Sequence, residues 1–392
     1  MTPLSAEFRL VAACCIWPPS PRRDDAIAVA MSTGVDWPKV VQVSNRQRVE
    51  GLVADGLRSV GDAVPAPIKS ALDASAAENA RLSLFQAAES LRLQRLFEAA
   101  GIGLTFIKGT ALALLAYGNI GIKHSWDIDI VVEDANVLAA AALLRTVGYV
   151  REIPDEGLDD GRFLEWSTFA HECLWKHPSR GLCVELHWRL TQNSSHLAHV
   201  FASRRVAVLD GQFISTLGDE DLFAYLCLHG ARHGWSRLKW LADLAAWLVQ
   251  MPPQDVERLH RVAQSAGVGR ASAQALLLCE RLLEFPLAPG LADELRSDRS
   301  TRWLVAIALH SMAGDDRMRQ IEERLASEAM IQFSHFLLAP NPGAWVKELQ
   351  SKSIGWNEFS RVRLPRPLYF LYPLMRIPSW LWRRIARLVG RP

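Results

Sequence analysis

Hydrophobic spacing divides the chain into three stretches. In residues 6–16, 37–60 and 68–99, apolar side chains recur every three or four positions, the period of helices with one buried face, and prolines break them apart. In the last of these, Leu82, Leu84, Phe85, Leu91, Leu93, Leu96 and Phe97 form the expected buried stripe. From about Gly101 to Leu217 the period shortens. Residues 104–107 predict a strand and 111–117 a helix. Residues 126–132 alternate and then run apolar, as a strand does when it is buried beyond its first residues. A helix over 135–147 ends at Gly148, and a short strand follows over 149–153. Residues 169–176 and 182–190, joined by a connection containing Pro178 and Gly181, predict a hairpin. Ahead of the hairpin, after the 149–153 strand, residues 155–162 are charged, hold two glycines and lack periodicity, which predicts a mobile loop. Helical spacing returns at Asp219, in segments around 219–233, 237–249, 255–266, 270–284, 290–312 and 316–338. The order predicts an α+β protein: a small mixed-sheet core (101–217) flanked by a helical N-terminal region (1–100) and a helical C-terminal domain (218–338), with a tail over 339–392.

Composition narrows the class. At 392 residues the chain exceeds one core and suggests two or three packed units. With 49% hydrophobic and 22% charged residues it has the means to bury them. The six cysteines are scattered without Cys-x-x-Cys pairs, as small buried hydrophobes of a reducing compartment are. Glu7 and Arg9 interrupt the first apolar run, so it does not read as a signal peptide, and no run of about 18 apolar residues occurs. A cytoplasmic protein is expected. A net charge of +2 excludes binding of polyanions by bulk electrostatics, but the charge is uneven. Residues 361–392 hold eight arginines and no acid, which leaves −6 for the 360 residues before them. Tyr369, Phe370, Tyr372, Trp380 and Trp382 interleave with those arginines, and a short helix is expected over 379–389. Such a tail suits peripheral attachment to an anionic inner-membrane surface, an acidic partner, or the protein's own acidic surface. No nucleic-acid module accompanies it.

The chemistry concentrates between Lys108 and Val132. Asp127 and Asp129 alternate onto one face of their strand, about 7 Å apart. Two carboxylates on a greasy strand repel and lose hydration, and a hard divalent cation is the usual compensation. Upstream, Lys108-Gly109-Thr110 turns from a strand into a helix. The glycine lets backbone approach a phosphate, and Thr110 with the first helical N–H groups can cap or bind it. The elements together make a site for a metal and a triphosphate. On the later strand, Cys183, Glu185, His187 and Arg189 share the face opposite Val184, Leu186 and Trp188. That face would deliver Glu185 as a third carboxylate if it lies near Asp127 and Asp129; a solvated edge strand is the plainer alternative. His229 and His233 sit one helical turn apart, without a third ligand or an intervening Glu, and do not read as a zinc site. Arg46, Arg48 and Arg81 could reach a phosphate but read more simply as solvated helix faces.

Ile107-Lys108-Gly109, a helix, and then Asp127-Ile128-Asp129 resemble the polymerase-β-like nucleotidyltransferase superfamily, and within it a bacterial branch of uncharacterised nucleotidyltransferases, over roughly residues 37–250. The resemblance implies transfer of a nucleoside monophosphate from a nucleoside triphosphate, ATP being the expected donor, to an acceptor oxygen with release of pyrophosphate and with Mg²⁺ or Mn²⁺ as cofactor. It assigns Asp127, Asp129 and Glu185 to catalysis and the metal, Glu185 lying in the Glu-Leu-His-Trp strand where such relatives carry their third acid. Lys108, Gly109, Thr110, Lys123, Ser125, His187, His233 and Lys239 would bind the nucleotide, with Asp243 orienting a basic residue. One departure is Lys123-His124-Ser125, where relatives often carry Arg: lysine keeps the charge but loses bidentate phosphate recognition. The acceptor (small molecule, peptide or protein) is unnamed by any motif. A catalytically idle nucleotide-sensing or partner-binding protein of the same fold and a kinase-like phosphoryl transferase are the alternatives.

Overall fold

The computed structural model describes residues 4–192, 203–313, 321–339, 341–352 and 354–375. Seven strands form one mixed sheet: β1 Thr105–Phe106, β2 Ile128–Val131, β3 Val150–Ile153, β4 Glu172–His177, β5 Leu182–His187, β6 Arg204–Leu209 and β7 Gln212–Leu217, in the order β3-β4-β5-β2-β1-β7-β6. The short central strands β1 and β2 are antiparallel. A hairpin docks on each side of them: β4–β5 through the parallel pair β2–β5, and β6–β7 through the parallel contact of β1 with β7. The α+β class expected from the sequence is what the chain adopts.

Two apolar clusters flank the sheet. One joins Leu93 and Phe97 of the long Ala66–Ala99 helix to Leu144, Trp175, Val184 and Phe163. The other packs Leu10, Val11 and Val53 from the first helices against Leu222, Leu241 and Leu276 from those after the sheet. The Leu238–Leu248 helix lies on the Thr110–Tyr117 helix that follows the Lys-Gly-Thr turn. The helical segments before and after the sheet therefore bury one another, and together they back the turn.

Several elements differ from expectation, each for a physical reason. The buried face of Ala66–Ala99 is not the Leu82–Phe97 stripe: Leu84 and Phe85 face solvent, while Ser83, Gln86, Glu89 and Ser90 are buried beside Leu93 and Phe97. The surface opposite is polar. Ser83 Oγ donates to the Lys123 carbonyl at 3.0 Å, and Glu89 accepts from the Tyr149 hydroxyl and from Arg180, both at 2.8 Å. The β6–β7 hairpin escaped the sequence reading because Val206 and Val208 face solvent while Ala207 is buried, so apolar side chains occupy both faces. Its turn, Asp210-Gly211 with both φ positive, carries a recognisable hairpin signature. The Pro21–Ser32 helix was hidden by a proline that stands at its first turn, behind a Ser20 cap.

The expected mobile loop over 155–162 is instead held from inside. Arg151, 1% exposed, donates to the carbonyls of Pro154 (2.9 Å), Asp155 (3.1 Å) and Leu158 (2.7 Å), and its guanidinium lies over the Phe163 ring. Asp159 then caps the Asp160–Ser167 helix by accepting from the Arg162 amide at 2.9 Å. A single buried arginine thus supplies the donors that the turn's backbone needs.

All six cysteines are free, and all but the half-buried Cys183 are buried. Among the described residues no helix is long and apolar enough to cross a membrane. The described part of the tail packs on the sheet side. Tyr372 is fully buried and its hydroxyl donates to the Val362 carbonyl at 2.8 Å, while the Tyr369 hydroxyl donates to Glu165. The expected helix over 379–389, with Trp380, Trp382 and the last five arginines, lies outside the described residues.

Replacing Arg151 by Met keeps most of the volume but leaves three carbonyls, that of the buried Pro154 among them, without their donor. A loss of about 2–4 kcal/mol is expected in urea unfolding. A midpoint within error of the parent's would show that the loop does not depend on this side chain.

Candidate active site

The parallel pairing of β2 with β5 sets Asp129 opposite Glu185 and Val131 opposite His187, and the antiparallel pairing of β4 with β5 sets Glu172 opposite His187. Three acids and an imidazole from three strands thereby meet on one face. Asp129 is 1% exposed, and Lys108 Nζ lies 3.0 Å from its Oδ1. His187, 2% exposed, directs Nε2 towards Asp129 Oδ1 and Glu185 Oε2, each 3.7 Å away, and Nδ1 towards Glu172 Oε2 at 3.3 Å. One ligand atom each from Asp129, Glu185 and His187 lies within 4.8 Å of the others.

The electrostatics are those of an acidic cluster that Lys108 and His187 compensate in part. Burial disfavours the charge of Asp129, but Lys108 and His187 hold its carboxyl well below the usual carboxylate range. For Glu185, burial acts with the charges of Asp129, Asp127 and Glu172, and despite the nearby His187 its carboxyl is pushed up to about 7. Burial pulls His187 down, yet Glu172, Asp129 and Glu185 outweigh it and raise the imidazole to about 10. Burial likewise opposes the charge on Lys108, and the neighbouring carboxylates hold it protonated nonetheless. Among the described residues, neither oxygen of Asp129 and neither ring nitrogen of His187 makes a hydrogen bond. Buried polar atoms are nearly always satisfied, so these orphans and the donor set of two carboxylates and an imidazole fit a divalent cation.

Beside this cluster, Gly109 sits at φ 66° and ψ −127° as the N-cap of the Thr110–Tyr117 helix. That conformation is essentially restricted to glycine. A Cβ there would meet only Ser125 Oγ at 3.6 Å and the Asp127 carbonyl at 3.8 Å, so the backbone angle rather than space demands the glycine. Thr110 is buried as the first helical residue. Ser125 turns its hydroxyl to the Asp127 carbonyl at 3.4 Å, shaping the entry to β2.

The remaining candidates divide between the cleft and its backing. A cleft of about 630 Å³ is bounded on the sheet side by Asp127, Glu185 and Glu172, and on the helical side by Tyr225, Lys239 and Trp240. Asp127 lies just before β2, on the cleft wall and outside the cluster around Asp129. Lys239 is driven down to about 7 by burial and by the charges of Lys123, Lys108 and Arg48. His233 stands at the exposed edge, its ring 4.6 Å from that of His229 and 5.4 Å from Trp240. Lys123 does not line this cleft. It is buried with Nζ 3.1 Å from Asp243 Oδ2, while the Tyr117 hydroxyl donates to Asp243 Oδ1 at 3.0 Å. Its charge is committed to tying the helical segment to the turn.

Sequence reasoning missed two cleft residues, His171 and Glu172, and read a third, Arg48, more simply as part of a solvated helix face. His171 and Glu172 reach the site only through the β4–β5 register, which no local spacing encodes. Of the three arginines noted above, Arg46 binds the Met312 carbonyl at 2.9 Å and Arg81 pairs with Glu78 at 2.6 Å. Arg48 instead lines the cleft, at φ 57° after the Trp37–Gln47 helix, with its guanidinium 5.9 Å from the exposed Trp126 ring. An arginine just past a helix and a tryptophan beside Asp127 were the available signals.

No curated protein matches this chain. The family model described as "Uncharacterised nucleotidyltransferase" matches residues 33–284, a span that holds the whole sheet, the Lys-Gly-Thr turn and the helical wall of the cleft. With that match covering more than half of its length, the chain belongs to the uncharacterised nucleotidyltransferase family.

Proposed function

We propose that the cleft transfers a nucleoside monophosphate from a nucleoside triphosphate, ATP first, to an acceptor oxygen with release of pyrophosphate, and that the family is a bacterial branch of the polymerase-β-like superfamily. The observation that carries this reading is the Asp129 carboxylate, buried beside Glu185 with the Lys108 ammonium 3.0 Å from Oδ1 and, among the described residues, no hydrogen bond to either oxygen. Asp129 and Glu185 would hold Mg²⁺ or Mn²⁺, with Asp127 closing the set from the cleft wall. When bound, the cation supplies charge neutralisation at the triphosphate and polarisation of the acceptor oxygen. Gly109 and the N–H groups opening the Thr110–Tyr117 helix lie where they can receive phosphate oxygens, and Lys108, Lys239 and His233 line the path those oxygens would take. Glu185, poised near neutrality, has the proton affinity of a general base for the acceptor hydroxyl.

In this reading residues 1–100 and 218–338 buttress and wall the 101–217 core, and the 339–392 tail directs the enzyme, in the cytoplasm, to an acidic partner or an anionic membrane surface. The acceptor belongs to the small molecules, peptides or proteins that such a cleft admits. One observation favours a second reading, an idle nucleotide-sensing site: Lys108 already balances Asp129 at 3.0 Å. Incubation with α- and γ-labelled ATP separates the outcomes. Label reaching an acceptor from the α-phosphate supports the proposal. Transfer from the γ-phosphate alone means a kinase-like reaction, and retention of intact nucleotide without transfer means an idle site.

Asp129→Asn and Asp127→Asn should each abolish transfer with the circular dichroism spectrum unchanged, because an amide cannot match a carboxylate at Mg²⁺. Full activity in either purified variant would remove the mechanism. Since a protonated Glu185 cannot ligate, Mn²⁺ affinity measured calorimetrically should weaken roughly tenfold for each pH unit below about 7 and level off above it. Glu185→Gln should be weak and flat across that range; a steep profile in this variant would assign the titration to another group. Gly109→Val, forced into a positive φ, should lower ATP affinity measured by equilibrium dialysis, and an unchanged affinity in folded protein would place the triphosphate elsewhere.

A further inference from the structure

His187 belongs to two groups of ligand atoms. Its Nε2 side faces Asp129 and Glu185; its Nδ1 side faces Glu172 and, beyond it, His171. In the second group Glu172 Oε2 lies 3.3 Å from His171 Nε2 and 3.3 Å from His187 Nδ1, and one ligand atom from each of the three residues falls within 4.8 Å of the others. Metal–ligand bonds of about 2.0–2.1 Å in a tetrahedral arrangement place neighbouring ligand atoms about 3.3 Å apart. Hydrogen bonding does not account for these approaches. His187 is 2% exposed, yet among the described residues its Nδ1 makes no hydrogen bond even at 3.3 Å from a carboxylate.

We propose that His171, Glu172 and His187 form a second cation site, separate from the carboxylate pair, that takes a borderline transition ion such as Zn²⁺ or Co²⁺. Two imidazoles and one carboxylate favour such an ion over Mg²⁺, which prefers oxygen ligands and retains its waters. Three protein ligands leave a fourth position open, and it faces the cleft, because His171 and Glu172 both line it. The bases nearest to His171 are already occupied: Arg232 by Glu348 at 3.0 Å and Arg189 by Asp134 at 3.4 Å. The Trp188 amide donates to the His171 carbonyl at 3.0 Å, which fixes the segment entering β4. The proposal does not depend on nucleotidyl transfer, and its test contains no nucleotide.

Purified full-length protein is titrated with Co²⁺ and followed by visible absorption, with far-UV circular dichroism as the control for folding. One Co²⁺ per chain is expected, with the intense ligand-field bands of a four-coordinate ion, displaced by Zn²⁺. His171→Gln and Glu172→Gln should each weaken binding by at least about tenfold and lose those bands, while Asp129→Asn, which removes a carboxylate of the other group and leaves His171, Glu172 and the Nδ1 side of His187 in place, keeps them. Two results would overturn the site: only the faint absorption of an octahedral ion in the parent protein, or Co²⁺ affinity that survives both His171→Gln and Glu172→Gln but falls in Asp129→Asn.

Discussion

Everything in the cleft depends on the parallel pairing of β2 with β5. That register places Asp129 beside Glu185, and the strands around them are apolar and buried, so the two carboxylates have little water to share. An isolated charge buried this way costs several kcal/mol, and the surroundings answer it only in part. Lys108 neutralises one acid and the His187 imidazolium bridges the others, leaving Glu185 half-titrated near pH 7 and the oxygens of Asp129 without hydrogen bonds. A fold that needed only stability would have filled these positions with valine or leucine. Clustered acids of shifted proton affinity at the wall of a cleft mark a candidate functional site.

The helices serve that cluster at one remove. Lys123, Asp243 and Tyr117 form a buried ion pair with a hydroxyl donor, joining the loop before β2, the helix after Gly109 and the Leu238–Leu248 helix. Removing one member of such a group strands the others without a partner, so the Lys-Gly-Thr turn and the far wall of the cleft are fixed relative to each other. The first helices and those after the sheet share one apolar cluster, which holds that wall in place from behind. On the other side of the sheet, Phe359 and Tyr372 from the tail complete the second cluster, so part of a segment rich in arginine is structural.

Much of this was legible in the sequence. The Lys-Gly-Thr turn, the short helix, the strand opened by Asp-x-Asp and the β4–β5 hairpin all follow from spacing and turn chemistry, because residues within a few positions of one another determine them. Local rules failed where both faces of an element looked alike. Val206, Ala207 and Val208 give β6 no polar side, and Ser83, Gln86 and Glu89 are buried in the long helix because their partners, Lys123, Tyr149 and Arg180 among them, come from distant parts of the chain.

The sequence by itself determined which residues could do chemistry: the acids at 127, 129 and 185, the histidine at 187, and the glycine that must adopt a positive φ. The tertiary structure alone decided which of them meet. A one-residue slip of β5 would turn Glu185 and His187 to the opposite face, and nothing within the strand forbids it; burial of Val184 and Leu186 against the helices does. The β4–β5 pairing brings Glu172 and His171 to His187, while packing around the sheet leaves Asp127 on the cleft wall and commits Lys123 to Asp243. Periodicity reports only the side of an element on which a residue lies, whereas partners across a sheet are set by packing among segments far apart in the chain.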